Sequence, residues 1–269
     1  MTALFSKFAV AVSSFAILSG SAGAAFSQNG TVPLPQRQYV LDVGVGGMVQ
    51  PRYEAADSYL FVPFPLISVG RFYVPGLGQV ADGKKRQGVF FYPSFNFLGE
   101  RKASDDSDLR GTDTVDWALE LGAGAGYRFQ NFRVFAELRQ GINGHTSQTG
   151  QIGADGIFYP VPKVELSIGP RATFAAGDYM DTYFGVTAAE AAASGGTLSE
   201  YDPGGGFKSV GLAGRVSYDW TDSVRLHLQG RYDRLVGEAA DSPIAKVGDE
   251  NQFSIGVGVT YRFAFDVFN

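Results

Sequence analysis

Residues 252–265 alternate between two kinds of side chain almost without error. One face carries Phe253, Ile255, Val257, Val259, Tyr261, Phe263 and Phe265, and the other carries glycine, serine, threonine, alanine and one arginine. A soluble β-sandwich would cover the apolar face with a second sheet. Small and polar residues on the opposite face instead suit a narrow polar interior behind a wall that faces lipid. The pattern therefore predicts a strand of a transmembrane β-barrel.

The same period of two recurs along most of the chain. It is clear in residues 39–45, 115–128, 132–139, 164–174, 209–218 and 224–233, and weaker in residues 60–73, 89–97 and 148–159, two of which contain proline. Together these segments predict an all-β fold, a closed antiparallel transmembrane β-barrel of about ten strands. Eight or twelve strands satisfy the same pattern.

Charged side chains within the predicted strands share the polar face. A Lys or Arg on the lipid side at mid-membrane costs about 2–4 kcal/mol, which accounts for this segregation. We predict an interior polar network, either structural or pore-lining, and little or no conductance, because side chains mostly fill a barrel of this size. Its members are Glu120, Arg133, Glu137, Arg139, Glu165, Arg171, Arg215, Arg225, His227 and Arg231.

The N-terminus has the form of a secretory signal. Lys7 precedes an apolar run over residues 8–18 and then a series of small residues. The run is shorter than the roughly 20 residues that a spanning helix needs, which disfavours an N-terminal anchor. We predict a cleaved signal peptide over residues 1–24, a barrel over 25–269 and a periplasmic lead over 25–37.

The connections between strands alternate in length. Short turns over residues 128–131, 160–163 and 219–222 are expected in the periplasm, and long loops over 99–114, 175–206 and 234–251 on the outer side. The link over residues 74–88 is too long for this alternation. Within the longest loop, Thr187 and Glu190 have the spacing of a capping box and predict a short helix.

Composition excludes several functions. The chain has no cysteine and a net charge of -5, so cysteine-based catalysis, cysteine zinc sites and a nucleic-acid footprint are not expected. His227 could belong to a hydrolytic site in the interior. A histidine among arginines and aspartates without an evident nucleophile is more typical of a charge network. We expect no enzyme activity and no catalytic, cofactor-binding or metal site.

Several motifs resemble the MltA-interacting protein (MipA)/OmpV family of outer-membrane proteins. The likeness is strongest at Tyr183-Phe184-Gly185-Val186, at Asp241-Ser242-Pro243 and at Asn251-Gln252, and it continues to Tyr261-Arg262-Phe263. Each piece is short, but the combination is specific and covers most of the predicted mature chain.

The resemblance implies a protein of the outer membrane of a Gram-negative bacterium, surrounded by outer-membrane lipid. It implies a non-enzymatic scaffold that brings a lytic transglycosylase and a penicillin-binding protein together for murein remodelling and synthesis. A narrow pore, or a surface-exposed binding or antigen protein, is the alternative. The periodicity of the strands indicates none of these roles.

Overall fold

The computed structural model describes residues 39–75, 78–82 and 87–267 of the chain. The predicted signal peptide, residues 1–24, and the predicted lead, residues 25–37, lie outside this range. Their boundaries therefore stay predictions.

The described residues form one antiparallel sheet of eleven strands in the order β3-β2-β1-β11-β10-β9-β8-β7-β6-β5-β4. Ten strands are long, as the alternation predicts, and one, β3, has five residues. The strands are β1 (Tyr39–Pro51), β2 (Tyr59–Val74), β3 (Gly78–Asp82), β4 (Gly88–Leu98), β5 (Ala118–Arg128), β6 (Phe132–Ile142), β7 (Gln148–Phe158), β8 (Val164–Ala175), β9 (Gly206–Asp219), β10 (Val224–Leu235) and β11 (Asn251–Phe265).

The sheet joins the two ends of the chain and curls. β1 pairs with β11 from Tyr39 opposite Phe265 to Val49 opposite Ile255. The sheet is concave on its polar face, because the Arg231 guanidinium on β10 donates at 2.7 Å to the side-chain oxygen of Gln151 on β7, a strand that is not its neighbour. We call this concave side the interior face.

Two strands at or next to the ends of the sheet order, β2 and β4, contain proline. Among the described residues, β4 and most of β2 have one paired neighbour each. Pro63 and Pro65 lie in β2 and Pro93 in β4. Proline removes a ladder donor and is tolerated where a strand lacks a second neighbour, which accounts for these three residues.

The outer face is apolar and open to its surroundings. Val45, Phe61 and Val257 are 60–67% exposed, far more than a soluble core strand would allow. Aromatic rings lie near the ends of strands: Phe129 stacks on Phe132 at 4.0 Å between ring centroids, beside Tyr127 at 4.7 Å. Amphipathic and aromatic rings near the ends of membrane-spanning strands are typical of a membrane interface.

The two ends of the sheet differ, as predicted from loop length. One end, here called the short-turn end, carries the connections over residues 129–131, 159–163 and 220–223. β3, which falls within the long link between β2 and β4, pairs with the end of β2 there and accounts for the extra length.

The opposite end is covered by what we call the cap, formed by residues 52–58, 99–117, 143–147, 176–205 and 236–250. Its helices are α1 (Gly177–Phe184), α2 (Ala188–Ala193), α3 (Glu238–Asp241) and α4 (Pro243–Val247), with a 3-10 turn at Ser107–Leu109. The predicted helix after Thr187 is confirmed as α2, with both hydrogen bonds of the capping box. The other helices were not predicted.

One boundary predicted from the alternation is wrong. The prediction starts the fourth of its ten strands at Val115, on the lipid side, whereas the corresponding strand, β5, begins at Ala118. Val115 is 9% exposed and packs in the apolar core of the cap. The backbones of Val115 and Arg101 exchange two hydrogen bonds of 2.9 Å. Because of this local pairing, Val115 lies in the cap and not in the sheet.

Candidate functional site

The ten residues predicted for the interior network lie on the interior face, where seven of them take part in ion pairs. The densest group surrounds Glu120, which is 1% exposed. Arg139 donates to Glu120 at 2.8 Å and also pairs with Glu137, while the Thr149 hydroxyl donates to Glu120 at 3.0 Å. Because several donors surround this buried carboxylate, its side chain is held in one position as a hydrogen-bond acceptor.

A second group centres on Asp155, also 1% exposed. Arg133 donates to it at 2.8 Å and Arg171 at 2.6 Å, so one carboxylate serves two guanidinium groups. Arg231 pairs with Asp233 and reaches Gln151. These contacts cross-link β6, β7, β8 and β10 through the interior.

Two further pairs lie toward the short-turn end. Arg225 donates to Asp219 at 2.6 Å, and Arg262 holds Asp42 with two hydrogen bonds of 2.7 and 2.9 Å. Glu165 accepts from the Tyr159 hydroxyl at 3.2 Å. Arg215 differs from these, because no carboxylate among the described residues lies within ion-pair distance of its guanidinium.

His227 lies between two hydroxyl groups. Its Nδ1 is 3.1 Å from the Ser217 Oγ and its Nε2 is 3.0 Å from the Thr260 Oγ1. A hydrolytic triad needs a carboxylate on one of these nitrogens. Neither contact of His227 involves one, so the geometry favours a structural position over catalysis.

A small interior cavity of about 40 Å³ adjoins His227. Asp42, Glu165, Arg215, Arg225, Gln229 and Thr260 contribute to its wall. The cavity lies in the half of the sheet nearer the short turns. It is therefore remote from the cap.

A chain of polar contacts links the cap to the interior. Lys208 Nζ and the Tyr179 hydroxyl both donate to Glu54 Oε1, at 2.6 and 3.0 Å. Tyr179 packs edge-on against the His145 ring, 4.9 Å between centroids, and His145 Nε2 is 3.3 Å from Glu120 Oε1. Burial, followed by the nearby Glu54, raises the pKa of Tyr179 well above its usual value, so this phenol stays protonated.

Motif residues that carry the family resemblance meet in the cap. Phe184, Val186, Ser242 and Pro243 are buried, and Tyr183 is 5% exposed. The Ser242 hydroxyl donates to the Phe184 carbonyl, Gly185 ends α1, and Val186 pairs with Tyr201. Asp241 is exposed on α3. Asn251 accepts from the Tyr232 hydroxyl, and Gln252 donates to the Ala56 carbonyl.

Buried polar groups fasten the cap. Arg101, 6% exposed, donates at 2.9 Å to the Tyr183 carbonyl. Glu190 accepts at 2.8 Å from the backbone N–H of Asp113 and of Thr187. Burial alone would raise the pKa of Glu190, but these hydrogen bonds and that of the Thr187 hydroxyl lower it below its usual value.

Sequence reasoning missed several participants. Asp42, Asp155, Asp219 and Arg262 complete the interior pairs, and Glu54, His145 and Lys208 complete the link to the cap. Their position on the polar face of a predicted strand was the available signal for Asp42 and Arg262. Glu54, His145 and Lys208 lie outside the regular alternation.

The part of the chain that the structure describes contains no group of three His, Asp or Glu side chains placed to hold a metal ion. None of its helices is long and apolar enough to cross a bilayer.

A curled antiparallel sheet with strands running up and down, an apolar outer face and a charged interior is the arrangement from which outer-membrane β-barrels are built. The family model for MltA-interacting protein MipA matches residues 43–263. The chain therefore belongs to the MipA family. This confirms the family inferred from the motifs in the cap.

Comparison with solved structures gives weaker likenesses. Pseudomonas putida OprB is 12% identical over 66% of this chain, with a TM-score of 0.36, and the match spans 45% of OprB. Neisserial surface protein A is 12% identical over 85% of this chain and 97% of its own, with a TM-score of 0.28. Ail of Yersinia pestis is 10% identical over 84% and 99%, with a TM-score of 0.25. These scores define neither function nor partners. A search of curated proteins finds no matching sequence.

Proposed function

We propose that this protein is a closed outer-membrane β-barrel that serves as a non-enzymatic scaffold for cell-wall enzymes. Membership of the MltA-interacting protein family over residues 43–263 is the observation on which the proposal depends. The partners are a lytic transglycosylase and, by the family resemblance, a penicillin-binding protein. The mature chain begins after residue 24, and residues 25–37 lead into β1 from the periplasm.

The arrangement of the two faces supports a membrane location. Leaving Val257 or Ile255 about 60% exposed to water would forgo more than half of the roughly 1.5–3 kcal/mol that complete burial of each side chain provides, whereas hydrocarbon removes that cost. Closure would join the β2 edge to β4, where these two strands lack a second neighbour among the described residues. N-terminal sequencing of the processed protein and its heat-dependent gel mobility test the signal site and the closed sheet.

The short-turn end is the surface we assign to the partners. In a Gram-negative barrel the short turns face the periplasm, where murein enzymes work. This end presents Trp220, 62% exposed, and Val161, 55% exposed, in adjoining turns. Solvent-exposed aromatic residues of this kind are enriched where proteins bind one another.

A pull-down from membranes of the bacterium that makes this protein tests this assignment. The wild type should capture lytic transglycosylase, and a double variant in the short turns, Trp220→Ala with Asp222→Arg, should capture at least tenfold less. Trp117→Ala with Asp202→Arg makes the same two changes at the other end and should retain capture. Failure of the wild type to capture the enzyme rejects the scaffold. Equal capture by both variants rejects the short-turn surface.

A narrow pore is the second candidate, favoured by the polar cavity beside Arg215 and His227. Ion pairs that cross the interior, such as those of Asp155, oppose a wide channel. We expect little or no conductance in planar bilayers. Stable, large channels formed by the purified protein would favour the pore over the scaffold.

A further inference from the structure

Two glycines lie side by side near the middle of the outer face. Gly230 on β10 pairs with Gly214 on β9, and one cross-strand row continues from this pair to Ile255 on β11 and Ile168 on β8. The two isoleucines are 58% and 48% exposed. Because glycine has no side chain, the apolar wall is recessed between them.

The packing of the described residues does not require glycine at either position. Neither Gly214 nor Gly230 has a positive φ, and a Cβ built on either would meet no heavy atom closer than 3.7 Å. At Gly122 and Gly211, by contrast, a Cβ would lie 1.9 and 2.0 Å from the backbone of the neighbouring strand. Glycine inside a strand weakens it and often marks a place that a ligand approaches closely. The recess therefore suits a group from outside the chain.

The recess is part of a long groove on the outer face. The volume of the groove is about 450 Å³, within the roughly 300–1,000 Å³ of pockets that hold small organic ligands. From β8 to β2 its wall includes Ile168, Leu212, Tyr232, Phe253, Val49 and Tyr59. Crossing these six strands takes five spacings of about 4.8 Å, which gives a length of roughly 24 Å.

The shape and the wall of the groove indicate the kind of ligand. Arg231 also borders the groove, but its side chain is turned to the interior, where it pairs with Asp233. The side chains on the outer face are aliphatic and aromatic. A long apolar groove of this kind fits an extended hydrocarbon chain better than a compact side chain.

A polar border lies on the cap side of the groove. The Arg234 guanidinium donates to Glu250 at 2.9 Å and to Asn251 at 3.1 Å, and the Tyr232 hydroxyl donates to Asn251 at 2.9 Å. An ion pair on the outside of a membrane-spanning sheet lies at headgroup level, where its charges reach water. The groove extends from the middle of the sheet to Tyr59, the first residue of β2, and so lies on the hydrocarbon side of this border.

We propose that the groove binds one acyl chain of a membrane lipid from the cap-side leaflet and retains it longer than the surrounding lipid. The chain lies over Gly214 and Gly230, between Ile168 and Ile255, with its headgroup at the level of Arg234. The inference rests on the proposed membrane location, because the groove is continuous with the outer face that meets hydrocarbon. A second copy of this chain is the competing occupant.

A photoactivatable lipid locates the occupant. The mature protein is refolded into vesicles of dimyristoyl phosphatidylcholine that contain a small share of the same lipid with a diazirine at one chain end. Residues 210–216 and 228–232 should be labelled about tenfold more than residues 132–138 on the outer face of β6, the ratio that a preference of about 1.4 kcal/mol gives. Gly230→Leu fills the recess and should abolish this excess. Ala136→Leu, at an exposed outer position of β6, should leave it unchanged.

Native mass spectrometry from detergent micelles supplied with the same phosphatidylcholine gives a second readout. The wild type should carry one retained lipid, and Gly214→Leu and Gly230→Leu none. Both variants should keep the heat-dependent gel shift, because their new side chains enter open space.

Two results would overturn the acyl-chain site alone. One is equal labelling of the two regions in a wild type that inserts into the vesicles, or a retained lipid that survives both substitutions. The other is a dimer that both substitutions separate, since a second copy would then cover the groove. Failure of the wild type to insert would reject the membrane location itself, and the groove with it.

Discussion

The hydroxyl of Ser242 donates a 2.6 Å hydrogen bond to the backbone carbonyl of Phe184, and both residues are completely buried. The bond joins the loop after β8 to the loop after β10, which are 58 residues apart in sequence. The same oxygen accepts from the Ile244 N–H and so caps α4. One side chain therefore orders a helix end and locks two loops together.

Replacing Ser242 with alanine should loosen the cap without unfolding the sheet. The Phe184 carbonyl would lose its partner in a buried site, at a cost of about 1–3 kcal/mol. We expect faster proteolytic cleavage within residues 176–205 while the heat-dependent gel shift remains. Ser199→Ala, at an exposed position of the same loop, should change neither. Unchanged cleavage of Ser242→Ala would contradict a locking role.

Gly248 allows the last loop to approach the first. A Cβ at this position would lie 2.0 Å from the Ala55 carbonyl oxygen, which belongs to the backbone and cannot rotate away. Gly248→Ala should destabilise the contact by about 1–3 kcal/mol, as overpacking does. Gly204→Ala has open space around the new methyl group and is the matched control. Amide exchange of Asp249, which donates to Ala55, should accelerate only in the first variant.

The apolar outer face can be tested with one substitution at two depths. Val257→Arg, in mid-strand, should cost about 2–4 kcal/mol of folding free energy in lipid vesicles if this face meets hydrocarbon. Val161→Arg places the same residue at similar exposure, 55% against 60%, but in a turn at the short-turn end. It should be nearly neutral. Equal stability of the two variants would mean that lipid does not surround the middle of the sheet.

Arg139 should matter far more than an exposed arginine. Arg139→Gln leaves Glu120 buried without its guanidinium partner, and breaking a buried pair in this way costs about 3–5 kcal/mol. Arg234→Gln removes a pair in which Arg234 is 53% exposed and should cost about 0–1 kcal/mol. Urea unfolding in detergent micelles compares them. Similar midpoints would show that the interior pairs contribute little.

The cap should depend on pH through Glu190. Its pKa is lowered in the folded protein, so its contribution to cap stability is complete above its unfolded pKa of about 4.3 and is lost as pH falls through the folded value. Amide protection of Asp113 should therefore decrease in acid. In Glu190→Gln the protection should be lower at neutral pH and should vary less with pH. A steep decrease that survives in this variant would assign the pH dependence to another group.

Much of the sheet was predictable because one rule governs it. Each strand separates lipid from a polar interior, so its residues alternate, and even β2 and β4 with their prolines keep enough of the pattern to be recognised. Val115 shows the limit of this rule. It continues the alternation of β5 in sequence, but its hydrogen bonds to Arg101 place it in the cap.

The cap and the pairing of charges were harder to predict. The buried residues of α1, Tyr179, Met180, Tyr183 and Phe184, have helical spacing, yet an eight-residue segment beside a strand gives a weak signal. The interior residues were assigned to the correct face, but their partners depend on register and curvature. Neither the sharing of Asp155 by two arginines nor the isolation of Arg215 can be deduced from one strand at a time.

The pairing of β1 with β11 has a consequence for biogenesis. Of the strands that the structure describes, the first to leave the ribosome is bonded along eleven residue positions to the last one made. β1 must remain without this neighbour throughout synthesis and transport. The pairing of β1 with β11 can therefore form only after translation ends. A chain that stops before residue 251 would leave β1 and β10 without the strand that pairs with both. Their unpaired edges would then be able to pair with other polypeptides.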